Sequence, residues 1–115
     1  MMIEYNGKAY ICPMELAVAL ISGKWKAVIL WNLIEGPLRF GELYGLFPEI
    51  SQKMLTQQLK GLEQDGLILR EVYPEVPPRV DYSLTDFGKT LTPILEDINL
   101  WGKRFLEARY GLNEE

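Results

Sequence analysis

Residues 51–85 constrain the fold most, because two different periodicities meet there without a linker. From Ser51 to Asp65, the apolar residues Met54, Leu55, Leu59 and Leu62 recur at helical spacing. Ser51 is a small hydroxyl residue just ahead of an apolar run, which suits an N-cap, and Asp65-Gly66 suits a helix end. Leu67 to Tyr73 follows at once and is rich in Leu, Ile and Val. Val80, Tyr82 and Leu84 then alternate with Arg79, Asp81 and Ser83, the period of a half-buried strand. The link between these strands, Pro74-Glu75-Val76-Pro77-Pro78, holds three prolines and cannot be a tight two-residue turn. The pattern predicts an amphipathic helix running directly into a hairpin with a stiff, protruding loop.

The flanking sequence supplies more helices. Pro13 suits a first helical turn, and Met14, Ala17, Val18 and Ile21 follow at helical spacing until Gly23. A second helix is predicted over 24–35, with Trp25, Val28, Ile29 and Leu33 on one face and Gly36-Pro37 as its stop. Leu38-Arg39-Phe40 reads as a very short strand, and 41–46 as a short helix closed by Pro48. Thr85 can cap a last helix reaching about Tyr110, which Pro93 should bend or restart at Thr92. The predicted class is mainly α with a small β-hairpin wing, a dimeric winged helix-turn-helix. Residues 1–11 read as a loose N-terminal arm, 12–110 as the domain with its N- and C-terminal dimerisation helices, and 111–115 as a tail.

Composition narrows the function. At 115 residues the chain fits one domain, and 48% hydrophobic residues suffice for a small core. No run of about 18 apolar residues spans a membrane. The run Leu16 to Ile21 is short and lacks a basic flank, so no secretory signal is read and the cytoplasm is the expected compartment. The lone Cys12 excludes an intrachain disulfide. With no histidine there is no Ser-His-Asp triad, Cys-His pair or His-ligated metal. The 16 acidic residues are scattered, and neither G-x-G-x-x-G nor a Walker-type loop is present. No enzyme activity, cofactor or metal is therefore expected.

A net charge of −4 argues mildly against nucleic acid, so the placement of charge matters. On a wheel of about 100° per residue, Leu55, Leu59 and Leu62 share one arc. Gln52, Lys53, Thr56, Gln57 and Lys60 share the other, with no acid among them. Gln can bond adenine edges, Lys guanine or phosphate, and the Thr methyl a thymine methyl. Ser51 and the free N–H groups at the helix start suit a phosphate. Arg79 at the wing tip, Arg70 across the hairpin and Arg39 ahead of the short helix are further phosphate candidates. The competing readings are a solvated helix face and hairpin arginines paired to Glu71, Glu75 or Asp81.

In the last helix Phe87, Leu91, Ile94, Ile98, Trp101 and Phe105 step by four and three, widened by Leu95 and Leu106. So small a domain cannot absorb the whole stripe. A homodimer interface is predicted from Ile94, Leu95, Ile98, Trp101 and Phe105, with Met14, Val18 and Ile21 beside them. Packing of the stripe on its own domain is the alternative.

Several segments together resemble the HxlR-type branch of winged-helix regulators. They are Cys12-Pro13, Gly23-Lys24-Trp25, Ile29-Leu30, Arg39-Phe40-Gly41-Glu42-Leu43, Ile50-Ser51-Gln52-Lys53-Met54-Leu55-Thr56, Leu59, Leu62-Glu63-Gln64-Asp65-Gly66-Leu67, Arg70, the wing from Tyr73 to Thr85, and Gly88. The likeness covers residues 12–106. It implies a dimeric regulator of transcription that binds double-stranded DNA, with Ser51 to Lys60 in the major groove and Arg79 in the wing. Some members sense electrophiles or oxidants through a cysteine at the position of Cys12. A helix N-terminus favours a thiolate, whereas a buried, inert thiol is the plainer reading. With a single cysteine, any disulfide must be intermolecular. The rival to DNA binding is a winged-helix protein-interaction module, separable by whether Lys53, Lys60, Arg70 and Arg79 present one basic face.

Overall fold

The helical and strand periodicities of the sequence become eleven elements in a computed structural model, which describes residues 2–111. In chain order they are β1 (Ile3–Tyr5), β2 (Lys8–Tyr10), α1 (Pro13–Ile21), α2 (Lys26–Asn32), β3 (Leu38–Arg39), α3 (Phe40–Leu46), α4 (Gln52–Gln64), β4 (Ile68–Tyr73), β5 (Arg79–Leu84), α5 (Asp86–Lys89) and α6 (Thr92–Tyr110). β3, β5 and β4 form an antiparallel sheet in that order, with Leu38 opposite Tyr82 and Ile68 opposite Leu84. Positions 112–115 of the expected tail lie outside the described residues.

The core gathers where the apolar arcs converge. Ile29, Leu30 and Leu33 from the α2 region meet Leu43 and Phe47, the α4 leucines 55, 59 and 62, and Leu67, Ile68, Tyr82 and Leu84 from the sheet. Burying a side chain of this size is worth about 1.5–3 kcal/mol. α1 contributes no buried residue, and the 19-residue α6 contributes only Leu95. Val28, expected on the inward face of α2, is exposed, and Leu30 takes the inward position.

The junction of α4 with the sheet is set by its ends. Ser51 Oγ accepts from the Met54 amide at 3.0 Å, the expected N-cap. At the other end Gly66 adopts φ +74, the Gly66 amide donates to Glu63 and the Leu67 amide to Leu62. This Schellman arrangement turns the chain straight into β4. Thr85 then ties three segments together: its hydroxyl donates to Gly66 O and accepts from the Gly88 amide, and its own amide donates to Leu67 O. Thr85 caps only the four-residue α5; Pro93 then sits in the first turn of α6, which restarts at Thr92 as expected.

The N-terminal arm is not loose. β1 and β2 pair antiparallel around Asn6-Gly7, both with positive φ, as a two-residue primed turn requires. Tyr5 Oη donates to Asp65 Oδ1 at 2.7 Å, fastening this hairpin to the end of α4. That hydrogen bond holds the Tyr5 hydroxyl above its ordinary range, helped by partial desolvation and the Asp65 charge.

Gly88 has no room for a side chain: a Cβ there would lie 2.0 Å from the Leu67 carbonyl oxygen. Gly88→Ala should cost about 2 kcal/mol of stability, read as a Tm fall of roughly 5 °C or more in a thermal melt.

Candidate nucleic-acid interface

Because Leu55, Leu59 and Leu62 are buried, the opposite arc of α4 must face out. Ser51, Gln52, Lys53, Thr56, Gln57 and Lys60 are all exposed. Ser51 uses one lone pair on its cap and keeps its hydroxyl hydrogen for a further acceptor. Thr56 Oγ1 donates to Gln52 O at 2.8 Å, which fixes its rotamer and leaves its methyl group as the apolar contact it can offer. The acids Glu63 and Asp65 fall at the C-terminal end, away from the helix start.

The expected cations behave differently from one another. Among the described residues, no ion pair involves Arg39, Lys53, Lys60 or Arg70, and all four are exposed. Arg39 lies on β3 opposite Asp81, and its amide donates to Glu42 Oε1. Arg70 lies on β4 opposite Tyr82.

Arg79, expected to project from the wing, instead folds back on it. Its Nη1 lies 3.3 Å from Glu75 Oε2, its Nε 3.4 Å from Asp81 Oδ1, and its guanidinium 4.0 Å from the centre of the Tyr73 ring. The Nε and Oδ1 atoms are buried and too poorly aligned for a hydrogen bond, so this contact is Coulombic. The pairing with Glu75 and Asp81 prevails, and Arg79 braces the proline-rich loop. The signal was in the sequence, since a hairpin register that sets Tyr73 opposite Arg79 also puts Asp81 on the same face.

The predicted subunit face divides into two groups. Met14, Val18, Ile94, Ile98, Trp101 and Phe105 are exposed, Trp101 by 66%. Trp101 and Phe105 stack at 5.9 Å. Leu95, by contrast, is 4% exposed and belongs to the core, and Ile21 packs against the core as well. A helix wheel does not tell which edge of a wide apolar stripe the neighbouring elements claim, and here the core claims both residues. Sequence reading also missed Val28 and Trp31, which line a hollow beside Ile98 and extend the exposed apolar surface onto α2.

Cys12 is the N-cap residue of α1, half-buried and free. Glu15 occupies the same helix start, accepting from the Ile11 amide at 2.8 Å.

Comparison with known proteins places this geometry. The HxlR-like helix-turn-helix family matches residues 20–110. The HTH-type transcriptional regulator YdeP of Bacillus subtilis (strain 168) is 51% identical over 104 residues, covering 90% of this chain and 81% of that protein. The redox regulator HypR in its reduced form superposes with a TM-score of 0.83 at 44% identity, over 88% of this chain and all of that one (100%). The reduced form of the transcriptional regulator YodB from B. subtilis superposes with a TM-score of 0.74 at 40% identity, over 86% and 98%. The protein is thus a winged helix-turn-helix transcription regulator. More narrowly, the chain belongs to the HxlR-like helix-turn-helix family.

Ser51→Ala should cost about 1 kcal/mol of unfolding free energy in a denaturant titration while leaving α4 helical by circular dichroism.

Proposed function

We propose that this regulator binds double-stranded DNA as a homodimer, with one α4 in each of two successive major grooves and Cys12 as a thiol sensor. The observation that carries the reading is the acid-free polar arc of α4, exposed from Ser51 to Lys60; Arg39 and Arg70 are exposed as well. Gln52, Lys53, Thr56 and Gln57 supply base-edge chemistry, while Ser51, Lys60, Arg39 and Arg70 supply phosphate contacts. Arg79 serves indirectly by holding the wing rigid. One protomer offers few phosphate contacts, and its total charge is −4, so a second copy is what raises affinity. Two α4 helices about 34 Å apart would match a palindromic site.

The homodimer reading is supported by the apolar side chains on α1, α2 and α6 that the domain leaves uncovered. On α2 and α6 they adjoin, since Val28 and Trp31 line one hollow with Ile98, and exposed apolar surface of this kind marks an interaction face. The sensor reading is supported by position and by likeness to HypR, whose name describes a redox regulator. Cys12 joins β2 to α1, and α1 carries Met14 and Val18 of the proposed interface. A peroxide-class oxidant would convert the thiol to a sulfenic acid with release of water. A second thiol would then condense with it, releasing another water and leaving an intermolecular disulfide. A disulfide at the start of α1 would constrain that helix and thereby change the spacing of the two α4 helices. No catalysis is assigned, and the protein acts in the compartment that holds its DNA.

The experiment is a selection of bound duplexes from random DNA, followed by affinity measurements at two salt concentrations. A palindromic consensus with steep salt dependence is the expected result. Uniformly weak binding to all duplexes would favour the protein-interaction module, which the acidic total charge and the clamped Arg79 would suit. Gln57→Ala and Lys53→Ala should each weaken binding to the selected site by about tenfold without lowering Tm; unchanged affinity in both removes α4 from the contact. Trp101→Glu should give monomers by light scattering, and a persistent dimer would move the interface elsewhere. Cys12→Ser should abolish any oxidant-dependent change in DNA affinity, and an unchanged response would dispose of the sensor.

A further inference from the structure

A cleft of 580 Å³ opens between the end of α2, the turn that follows, the end of α3 and the flank of α6. The volume falls within the range of small-molecule sites. Its apolar surface comes from Trp31, Ile34, Leu38 and Leu46, and its charge from Glu35 and Glu96. No lysine or arginine lines it, and neither glutamate joins an ion pair among the described residues.

The uncharged polar groups point the same way. Asn32 Nδ2 donates one of its two hydrogens to Val28 O at 2.8 Å, and its amide oxygen is an acceptor without a protein partner among the described residues. In the turn, the Ile34 amide donates to Trp31 O, the Gly36 amide donates to Leu33 O, and Pro37 has no N–H. An anion would therefore find two carboxylates and few donors. A cation would find two carboxylates, a carboxamide oxygen and an indole wall, the partners that ammonium, guanidinium and phosphonium groups attract.

We propose that this cleft binds an organic cation with an apolar or aromatic body, and that the bound cation acts as an effector of DNA binding. Glu96 lies on the opposite side of α6 from Ile94 and Ile98 at about 100° per residue, so a dimer built on that stripe leaves the Glu96 side of the cleft open, with Trp31 shared between the cleft and the proposed interface. Trp31 also borders the hollow beside Ile98, which connects the cleft to the stripe. Leu38 belongs to β3, paired to the wing strand β5, and Leu46 ends α3, the first helix of the helix-turn-helix. A ligand held between these walls and α6 would bias how α3, α4 and the wing sit against the proposed dimer helix. The effector role rests on the regulator reading; the binding itself does not.

The test uses tetraphenylphosphonium and its near-isosteric anion tetraphenylborate with the full chain in a calorimeter. The cation should bind and the anion should bind at least about tenfold more weakly. The double variant Glu35→Gln/Glu96→Gln, checked for unchanged folding by circular dichroism, should lose about tenfold in affinity for the cation. Equal binding of both ions, unchanged binding in the double variant, or no detectable binding of the cation would overturn the site. Added tetraphenylphosphonium should then change affinity for the selected duplex by at least about threefold in the wild type and not in the double variant. Cation binding without that change would overturn the effector role. A chain that binds no duplex at all would refute the regulator reading separately, while the calorimetry still decides the cleft.

Discussion

The burial of three leucines on one side of α4 is the constraint on which the rest depends. Leu55, Leu59 and Leu62 sit at the centre of the core, each at or below 1% exposure. Removing one would cost about 2–5 kcal/mol, a large part of the stability of a domain this size. With that side fixed inward, the rotation of the helix about its axis is fixed, and so is the outward placement of Gln52, Lys53, Thr56, Gln57 and Lys60. The chemistry offered to DNA is therefore a consequence of packing rather than an independent device. The Ser51 cap and the Gly66 turn set where the helix starts and stops, and Thr85 and Gly88 lock its end to the sheet.

A second consequence follows from how little of the chain the core uses. Residues between Ile29 and Leu84, together with Leu95, complete it. Apart from Ile21 and Leu95, α1 and α6 give it little, and Met14, Val18, Ile94, Ile98, Trp101 and Phe105 stay exposed. The same domain thus presents a polar helix face for one kind of partner and an apolar surface for another. Cys12, at the junction of the N-terminal hairpin and α1, lies beside the second surface rather than the first. In the proposed dimer, a chemical change there would act on DNA binding through how the two copies sit together.

Most of the fold was legible because strong local signals agreed with one another. The wing, the α4 caps and the restart of α6 at Thr92 all follow from single residues with one physical meaning: Ser51, Gly66, Thr85 and Pro93. The β1–β2 hairpin was missed, although Asn6-Gly7 is a strong two-residue hairpin signal, because flanking strands only three residues long carry no visible alternation. What the sequence could not resolve was competition for the same side chain. Arg79 had acids and an aromatic ring within reach of its own hairpin, and they held it against solvent. Leu95 and Ile21 belonged to stripes wide enough to serve two surfaces, and the core took them first. Val28 and Leu30 exchanged roles because α2 is only seven residues long and neighbouring apolar positions compete for its inner face.

The central claim is that the polar side of α4 meets DNA while α6 meets a second copy. Hydrogen–deuterium exchange on the full chain, with and without a bound duplex, tests it most directly. Slowed exchange at the start of α4 and in the wing, with α6 unchanged on adding DNA, is the predicted outcome. Slowing confined to α1 and α6, with the amides around Ser51 to Lys60 unaffected, would contradict it.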